Sequence, residues 1–305
     1  MTHKKKKAVV TGGAGFIGSH IVDELLRRGH EVHVIDNYAA GKSNDRINPG
    51  ASYHELDIRE QTKIAPVIAG AGVVFHLAAL PRVQFSIDNP AESHDVNVNG
   101  TLSVLLAARD GKVGKVVYSA SSSAYGDQPT LPLSEDMLPQ PKSPYALHKY
   151  LGEHYCRIFS TVFGLPTVCL RYFNAYGPRA DPNGPYAQAI IKFLHFKKQG
   201  KPLTVTGDGE QTRDSVHVSD IVRANMLAYE NDSVREGEVI NIGSGRNVSV
   251  NEIARLIGGE VVHIALRIEP HDTRADITRA KRLLGWEPTV GLEDGIAELK
   301  TILGV

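Results

Sequence analysis

Tyr145 and Lys149 stand four residues apart, a spacing that places a phenol and an ammonium on one face of a helix. Ser143-Pro144 just before them reads as a helix N-cap followed by proline in the first turn. A free phenol titrates near pH ~10 and a neighbouring positive charge favours the phenolate, so the pair can supply a proton-abstracting base nearer neutrality. A second stretch, Thr11-Gly12-Gly13-Ala14-Gly15-Phe16-Ile17-Gly18, carries different chemistry. Ala8-Val9-Val10 before it reads as a buried strand, and Ile17, Ile21, Val22, Leu25 and Leu26 recur at helical spacing after it. The glycines therefore fall on a strand-to-helix turn. Gly12 allows the tight turn, Gly15 the close approach of backbone to a phosphate, and Gly18 the close packing of helix on strand. The N–H groups at the helix start would face a pyrophosphate. Glu31-Val32-His33-Val34-Ile35 predicts a second strand ending at Asp36, about 20 residues beyond the turn, where a carboxylate can accept from an adenosine ribose hydroxyl. A carboxylate there repels a 2′-phosphate, so NAD is expected rather than NADP.

The elements that must position these residues alternate as strands and amphipathic helices up to about Lys149, with no linker or low-complexity stretch. That pattern predicts an α/β fold built on a doubly wound parallel sheet. Val73-Val74-Phe75-His76-Leu77 and Lys115-Val116-Val117-Tyr118-Ser119 are further candidate buried strands, and Leu102 to Arg109 and Tyr145 to Phe163 read as long helices with apolar faces. From about Pro178 the texture changes. Pro182-Asn183-Gly184-Pro185, Gly207-Asp208-Gly209 and Gly243-Ser244-Gly245 break the chain into short loops, helices and strands.

Composition narrows the function class. The chain has 305 residues, 42% of them apolar, enough for a single large domain or a bipartite fold. Lys plus Arg equals Asp plus Glu at 34 each, so no global field attracts nucleic acid, and the run Lys4 to Lys7 reads as a solvated tail. No run of about 18 apolar residues and no signal-peptide pattern is seen, so a cytoplasmic protein without a membrane partner is expected. Cys156 on a predicted helix and Cys169 in Thr167-Val168-Cys169-Leu170 read as buried thiols rather than a disulfide or a metal pair. None of the 13 histidines shows ligand-type clustering, so no metal is expected.

With these motifs in place, the chain resembles the extended short-chain dehydrogenase/reductases, and within them the UDP-galactose 4-epimerase group. Beyond the glycine turn and the Tyr/Lys pair, the likeness rests on Asp57-Ile58, His76-Leu77-Ala78-Ala79, Asn97-Val98-Asn99-Gly100-Thr101, Ser119 through Gly126, Leu170 through Asn174, and Gly207 through Asp214. The resemblance implies a Rossmann sheet with a smaller α+β C-terminal region that binds the sugar nucleotide. The dinucleotide-binding domain would span 1–176, rejoined by about 215–245, and the substrate region 177–214 and 246–305. Leu165 to Asn174 would belong to the large sheet, and Val239-Ile240-Asn241-Ile242 to the segment that returns to it. It further implies Ser121 as the third catalytic residue beside Tyr145 and Lys149. Cofactor contacts would come from Gly12, Gly15, Phe16, Ile17, Gly18, Asp36, Asn37, Asp57, Ile58, Leu77, Ala78, Ala79, Asn97, Ser119, Tyr145, Lys149, Tyr172 and Phe173. The UDP-sugar would meet Ser121, Ser122, Ser123, Tyr145, Asn174, Gln188, Val205, Arg213, Arg267 and Asp272. In the family, two long helices from each subunit form a four-helix core, which implies a homodimer.

The implied reaction is C4 epimerisation of a UDP-hexose by hydride transfer to NAD and back, after turnover of a 4-keto intermediate. The 4,6-dehydratases of the family place an acid pair where this chain has Ser122-Ser123, so elimination lacks its acid and base. Epimerases of N-acetylated or uronate UDP-sugars, the decarboxylases and a non-catalytic NAD-binding relative stand as alternatives. The loop Pro182 to Ala187 is similar to that of epimerases accepting N-acetylated substrates. One departure concerns the family's Arg-x-Gly-Asp segment, where this chain reads Leu266-Arg267-Ile268-Glu269-Pro270-His271-Asp272. Aligning on Arg267 keeps a phosphate donor, whereas aligning on Asp272 would set Glu269 against phosphates. Trp286 reads as a helix-end anchor, His148 as structural, and Tyr125 as a structural or substrate-shaping aromatic rather than a second base.

Overall fold

The computed structural model describes residues 6–182, 189–265 and 272–305. In chain order its strands are β1 (Lys7–Thr11), β2 (Glu31–Asp36), β3 (Ser52–Glu55), β4 (Val73–His76), β5 (Val116–Ser121), β6 (Thr167–Tyr172), β7 (Asn174–Tyr176), β8 (Leu203–Thr206), β9 (Thr212–His217), β10 (Glu236–Ile242), β11 (Asn247–Ser249) and β12 (Val261–Ile264). Valines and aromatics fill β1, β4, β5 and β6, and nearly every residue in these strands is buried. Burial on both faces is what an interior parallel strand requires.

These strands belong to a seven-stranded sheet of order β10-β6-β5-β4-β1-β2-β3. Pairing is parallel at β1/β2, β1/β4, β2/β3 and β4/β5. The chain steps outward from β1 to β3, then crosses back to β4 and proceeds the other way. Right-handed crossovers on the two sides of that reversal put helices on opposite faces, which gives the doubly wound sheet of the Rossmann type. The carboxyl ends of β1, β4 and β5, at Thr11, His76 and Ser121, open toward the same end of the sheet at the reversal. β10 forms one edge of this sheet, as expected of the segment containing Val239 to Ile242.

Two compact units make up the chain: Met1–Gly126 with Pro139–Arg171 and Val222–Ile240, and Asp127–Leu138 with Tyr172–Ile221 and Asn241–Val305. The first unit packs Val9, Val74, Leu105, Val116, Tyr118, Phe159 and both cysteines into one apolar core, and Cys156 and Cys169 are buried free thiols. The helix Pro144–Phe163 begins as its sequence requires. Ser143 Oγ accepts from Ala146 N–H at 3.2 Å, Pro144 occupies the first turn, and Gly164 at φ 69° ends the helix.

The second unit holds a three-stranded sheet of order β11-β9-β7 and the parallel pair β8/β12. Its polar centre is Asp214, wholly buried, whose carboxylate accepts from Ser244 N–H (2.6 Å), Ser244 Oγ (2.8 Å), Gly245 N–H (2.9 Å) and Ala275 N–H (2.9 Å). Trp286, also wholly buried, closes the end of the Thr278–Leu284 helix by donating Nε1–H to the Asp220 carbonyl at 2.9 Å. Asn174 corrects the assignment of Leu165 to Asn174 to one sheet. It opens β7 and pairs with Ser215 of β9, so the large sheet ends at Tyr172 and the chain changes sheet within two residues. Among the described residues no helix is long and apolar enough to cross a membrane, and no cluster of three metal-ligating side chains occurs.

Candidate active site

Ser121 ends β5, and Tyr145 and Lys149 sit on the first turns of the Pro144–Phe163 helix, all within the first unit. Tyr145 is half-buried, and its N–H donates to Ser86 Oγ at 3.0 Å. Ser121 Oγ also accepts from Ser123 N–H at 3.2 Å and from Ser123 Oγ at 2.8 Å. Lys149 is almost wholly buried. Its ammonium donates to the Ser119 carbonyl at 2.7 Å and lies 5.0 Å from the centre of the Tyr118 ring. Burial lowers this lysine to about 8, which still leaves it charged at neutral pH.

Here the sequence expectation needs correcting. Burial pushes the Tyr145 phenol up, and the group that pulls it down is the Ser121 hydroxyl rather than the Lys149 ammonium. The reason is geometric, because the lysine turns its charge to the Ser119 carbonyl and the Tyr118 face. The helical spacing that brings two side chains to one face does not aim their tips at each other.

The glycine turn is tight in the way its sequence suggests, with one difference. Gly12 has φ +72°, and a Cβ there would lie 2.7 Å from Ala78 N. Gly15 caps the Phe16–Arg27 helix without a side-chain hydrogen bond, which leaves the first-turn amides, including those of Phe16 and Ile17, open to an anion. Gly18 packs on the turn itself and not on the strand, since a Cβ there would sit 2.2 Å from the Gly12 carbonyl oxygen. Asp36 is half-buried and held by Ala14 N–H (3.0 Å) and Tyr38 N–H (2.8 Å). One further lone pair on each carboxylate oxygen remains for a ligand hydroxyl. Asn37 donates to Asp57 at 3.1 Å, and Arg59 holds the Asp57 carboxylate below its ordinary range through bonds of 2.9 and 2.7 Å. Ile58 beside them is buried.

Sequence reasoning missed His76 as a distinct element. Its ring is 1% exposed and lies between two hydroxyls, with Nδ1 2.7 Å from Thr11 Oγ1 and Nε2 3.0 Å from Thr101 Oγ1. Proton count fixes the tautomer. Thr101 spends its proton on the Asn97 carbonyl at 2.7 Å, so it accepts from Nε2–H, and Thr11 donates to Nδ1 while accepting from Ala78 N–H at 3.3 Å. Burial drives His76 down to about 3, so it is a neutral strut. Asn97, expected at the cofactor, spends its amide on the same loop, accepting from Leu80 N–H at 2.7 Å and donating to the Leu80 carbonyl at 3.0 Å. The half-buried loop Leu77-Ala78-Ala79 is thus tied down at both ends.

The remaining expected residues scatter in role. Tyr172 and Phe173 are buried. In the second unit, Asn174 donates to the Asp214 carbonyl at 3.3 Å, and Arg213, half-buried on β9, donates to the Thr212 carbonyl at 3.0 Å. Asp272 is exposed and accepts from Thr212 Oγ1 at 2.5 Å. Val205 corrects its assignment to the substrate, since its side chain is wholly buried in the apolar core of this unit with Leu203, Ile253 and Phe193. Gln188, Arg267 and the loop from Asn183 to Ala187 lie outside the described residues. His148 is buried against Ser93 at 3.2 Å, and Tyr125 lies 4.5 Å beneath the Arg171 guanidinium, which is paired with Glu153 through two 2.7 Å bonds.

A Rossmann sheet with an uncapped glycine turn at its reversal and an acidic end to β2 has the donors and acceptors for a dinucleotide's pyrophosphate and ribose, so these residues fit NAD. The pattern of the NAD dependent epimerase/dehydratase family matches residues 8–243, and the chain belongs to that family. It is 38% identical over 297 residues to a putative UDP-glucose 4-epimerase from Methanocaldococcus jannaschii, covering 94% of this chain and 95% of that one. It is 36% identical over 315 residues to a UDP-N-acetyl-alpha-D-glucosaminuronate decarboxylase from Bacillus cytotoxicus, covering 96% of each. Among solved structures, the UDP-glucose 4-epimerase of Thermotoga maritima with UDP-glucose superposes with a TM-score of 0.91 at 37% identity, covering 97% of this chain and 99% of that one.

The neutral strut makes a testable contribution to stability. The unfolded chain protonates His76 below about pH 6.5, whereas the folded chain resists until about 3. Its contribution is therefore complete above pH ~6.5 and lost as pH falls toward 3, by up to about 1.4 kcal/mol per pH unit. His76→Phe leaves two buried hydroxyls short of a partner and should cost about 2–4 kcal/mol at neutral pH. It should also flatten the acid side of the stability curve measured by urea unfolding. The same slope in both proteins between pH 6.5 and 4 would contradict this.

Proposed function

We propose that this chain is an NAD-dependent 4-epimerase of UDP-hexoses, of the UDP-glucose/UDP-galactose kind. The observation that carries the reading is the placement of Ser121, Tyr145 and Lys149 in one unit, with a buried charged Lys149 one turn along the helix from Tyr145 and Ser121 the group that offsets the burial of its phenol. Tyr145 takes the proton of the sugar 4-hydroxyl, and Ser121 holds that oxygen. NAD, when bound, would supply at the sugar C4 a hydride acceptor that can also return the hydride, which is what inversion through a turned 4-keto sugar requires. The first-turn amides beyond Gly12, Gly15 and Gly18 hold the pyrophosphate, Asp36 the adenosine ribose, and the Asn37, Asp57 and Ile58 side the adenine. Lys149 contacts the nicotinamide ribose. Asn174 and Arg213, with Arg267 and Gln188, bind the UDP moiety.

Hydroxyls rather than carboxyls at Ser122 and Ser123 favour epimerisation over dehydration, because neither can serve as the acid or base of an elimination. The protein, incubated with UDP-glucose, UDP-galactose, their N-acetylated counterparts and UDP-glucuronate, should invert C4 of at least one by proton NMR. Tyr145→Phe should lose turnover by at least about 100-fold while retaining NAD. Release of carbon dioxide from the uronate instead would move the assignment to a decarboxylase, and activity retained in Tyr145→Phe would end the proposed mechanism.

We also propose a homodimer through the two long helices of the first unit. On the Pro144–Phe163 helix, Leu147 (43% exposed), Ile158 (49%) and Val162 (65%) follow one face at helical spacing. An uncovered apolar stripe of this length suits a partner carrying the same stripe, which is the isologous contact of a two-fold dimer. Light scattering should give twice the chain mass, and Ile158→Asp with Val162→Asp should give a folded monomer. A monomeric parent protein would contradict the proposal.

A further inference from the structure

Glu153 stands four residues beyond Lys149 on the Pro144–Phe163 helix, and both side chains are buried. At that spacing the Cβ atoms are about 5–6 Å apart, close enough for an ion pair. The two groups are directed elsewhere. Lys149 gives its ammonium to the Ser119 carbonyl at 2.7 Å and to the Tyr118 face at 5.0 Å. Glu153 accepts at both oxygens from Arg171, from Nε at Oε1 and from Nη2 at Oε2, at 2.7 Å each. Arg171 arrives from β6, is 2% exposed, and has its guanidinium 4.5 Å from the centre of the Tyr125 ring, so that its plane is held as well as its fork. His154, next to Glu153 in the chain, is exposed and packs on the Tyr150 ring with 4.5 Å between centres.

We infer that Arg171 is a positioning residue: by occupying both oxygens of Glu153 it keeps that carboxylate from pairing with Lys149, whose ammonium stays directed at the end of β5 and free to meet the cofactor. A buried carboxylate that loses its partner takes another or gives up its charge, because desolvation penalises the lone anion. With Arg171 made neutral, Lys149 is the buried ammonium one turn away on the same helix. A contact pair between the two would draw the lysine along the helix axis and away from the Ser119 carbonyl. The present arrangement keeps the benefit of the carboxylate without that contact, since Glu153 is among the groups that favour the charged lysine against its burial. In this scheme Arg171 acts through Glu153 alone.

The inference rests on the proposed contact of Lys149 with the cofactor, so Lys149→Met is measured alongside. Arg171→Gln, Arg171→Lys and the double variant Arg171→Gln/Glu153→Gln are compared with the parent for kcat and KM on the same set of UDP-sugars, for NAD affinity and for thermal midpoint. Arg171→Gln should lose kcat by about tenfold and bind NAD about tenfold more weakly, the worth of one charge-assisted contact. Its KM for the sugar should stay within about threefold, because the UDP contacts are untouched. The double variant has no carboxylate left to capture the lysine and should regain kcat and NAD affinity to within about threefold of the parent. Arg171→Lys keeps a countercharge on Glu153 and should hold both within about threefold as well. A pair that served only the fold would lower the thermal midpoint of Arg171→Gln and leave its kcat and NAD affinity unchanged, which would overturn the inference. A double variant no better than Arg171→Gln would also overturn it, since the lost stacking on Tyr125 and not the freed carboxylate would then be at fault. Should Arg171→Gln not fold, the double variant and Arg171→Lys decide, and a loss of about tenfold in either is the contradicting result. Lys149→Met impaired beside Arg171 variants equal to the parent would end the inference and leave the Lys149 assignment standing. Lys149→Met with parental kcat and NAD affinity, or no turnover of any of the sugars by the parent, would remove that assignment and the inference with it.

Discussion

Backbone meets backbone where the turn after β1 passes the end of β4, and a methyl group on Gly12 would lie 2.7 Å from Ala78 N. That contact sets how far the glycine turn can sink between the strand ends, and so where the first amides of the following helix point. It also needs a fixed partner surface, which is supplied by polar groups. His76 at the end of β4 is held by a hydroxyl on each side, and Asn97 clasps the Leu80 backbone two residues beyond the contact. A neutral imidazole suits this place because a charged one would face the desolvation cost of the core with Lys149 close enough to add repulsion.

The same desolvation organises the reactive side chains. Lys149 is buried yet keeps its charge because a carbonyl and an aromatic face receive its ammonium. Tyr145 is the opposite case, a group held protonated by its surroundings until something stabilises the anion, with Ser121 as the donor that does so. A base that is neutral at rest and is charged only in company avoids burying a permanent anion beside a permanent cation, an arrangement whose desolvation penalty is large. Arg171 and Glu153, deeper in the same unit, are the pair that accepts that penalty, with two parallel bonds and an aromatic ring to offset it.

Much of this was legible in the residue order, and what was not has identifiable causes. β1, β4, β5 and the Pro144–Phe163 helix announce themselves through valine runs, a Ser-Pro cap and a terminal glycine, all local signals. The family followed from Gly12 to Gly18, Tyr145 and Lys149 in their order, and the match over residues 8–243 agrees. Side-chain aim was not legible. Helical spacing put Lys149 beside Tyr145, but its direction depends on the Ser119 carbonyl and the Tyr118 ring, which arrive from β5. Val205 and Asn174 failed for a related reason. Whether a strand residue faces a core, or which sheet it joins, depends on residues such as Ser215 and Ile253 that are distant in sequence. His76 carried a weak signal that could have been read, a lone polar residue ending an otherwise apolar strand, whose neighbours Thr11 and Thr101 stand in motifs already singled out.

Under the proposed mechanism, the hydrogen at C4 leaves the sugar as hydride and returns to the same carbon, while the tyrosine proton moves separately. UDP-hexose carrying deuterium at C4, incubated with the protein in ordinary water, tests this directly by NMR of the recovered sugars. Both epimers should keep the deuterium at C4 through many turnovers. Its steady replacement by solvent hydrogen would mean that C4 is deprotonated to a carbanion, and would contradict hydride return.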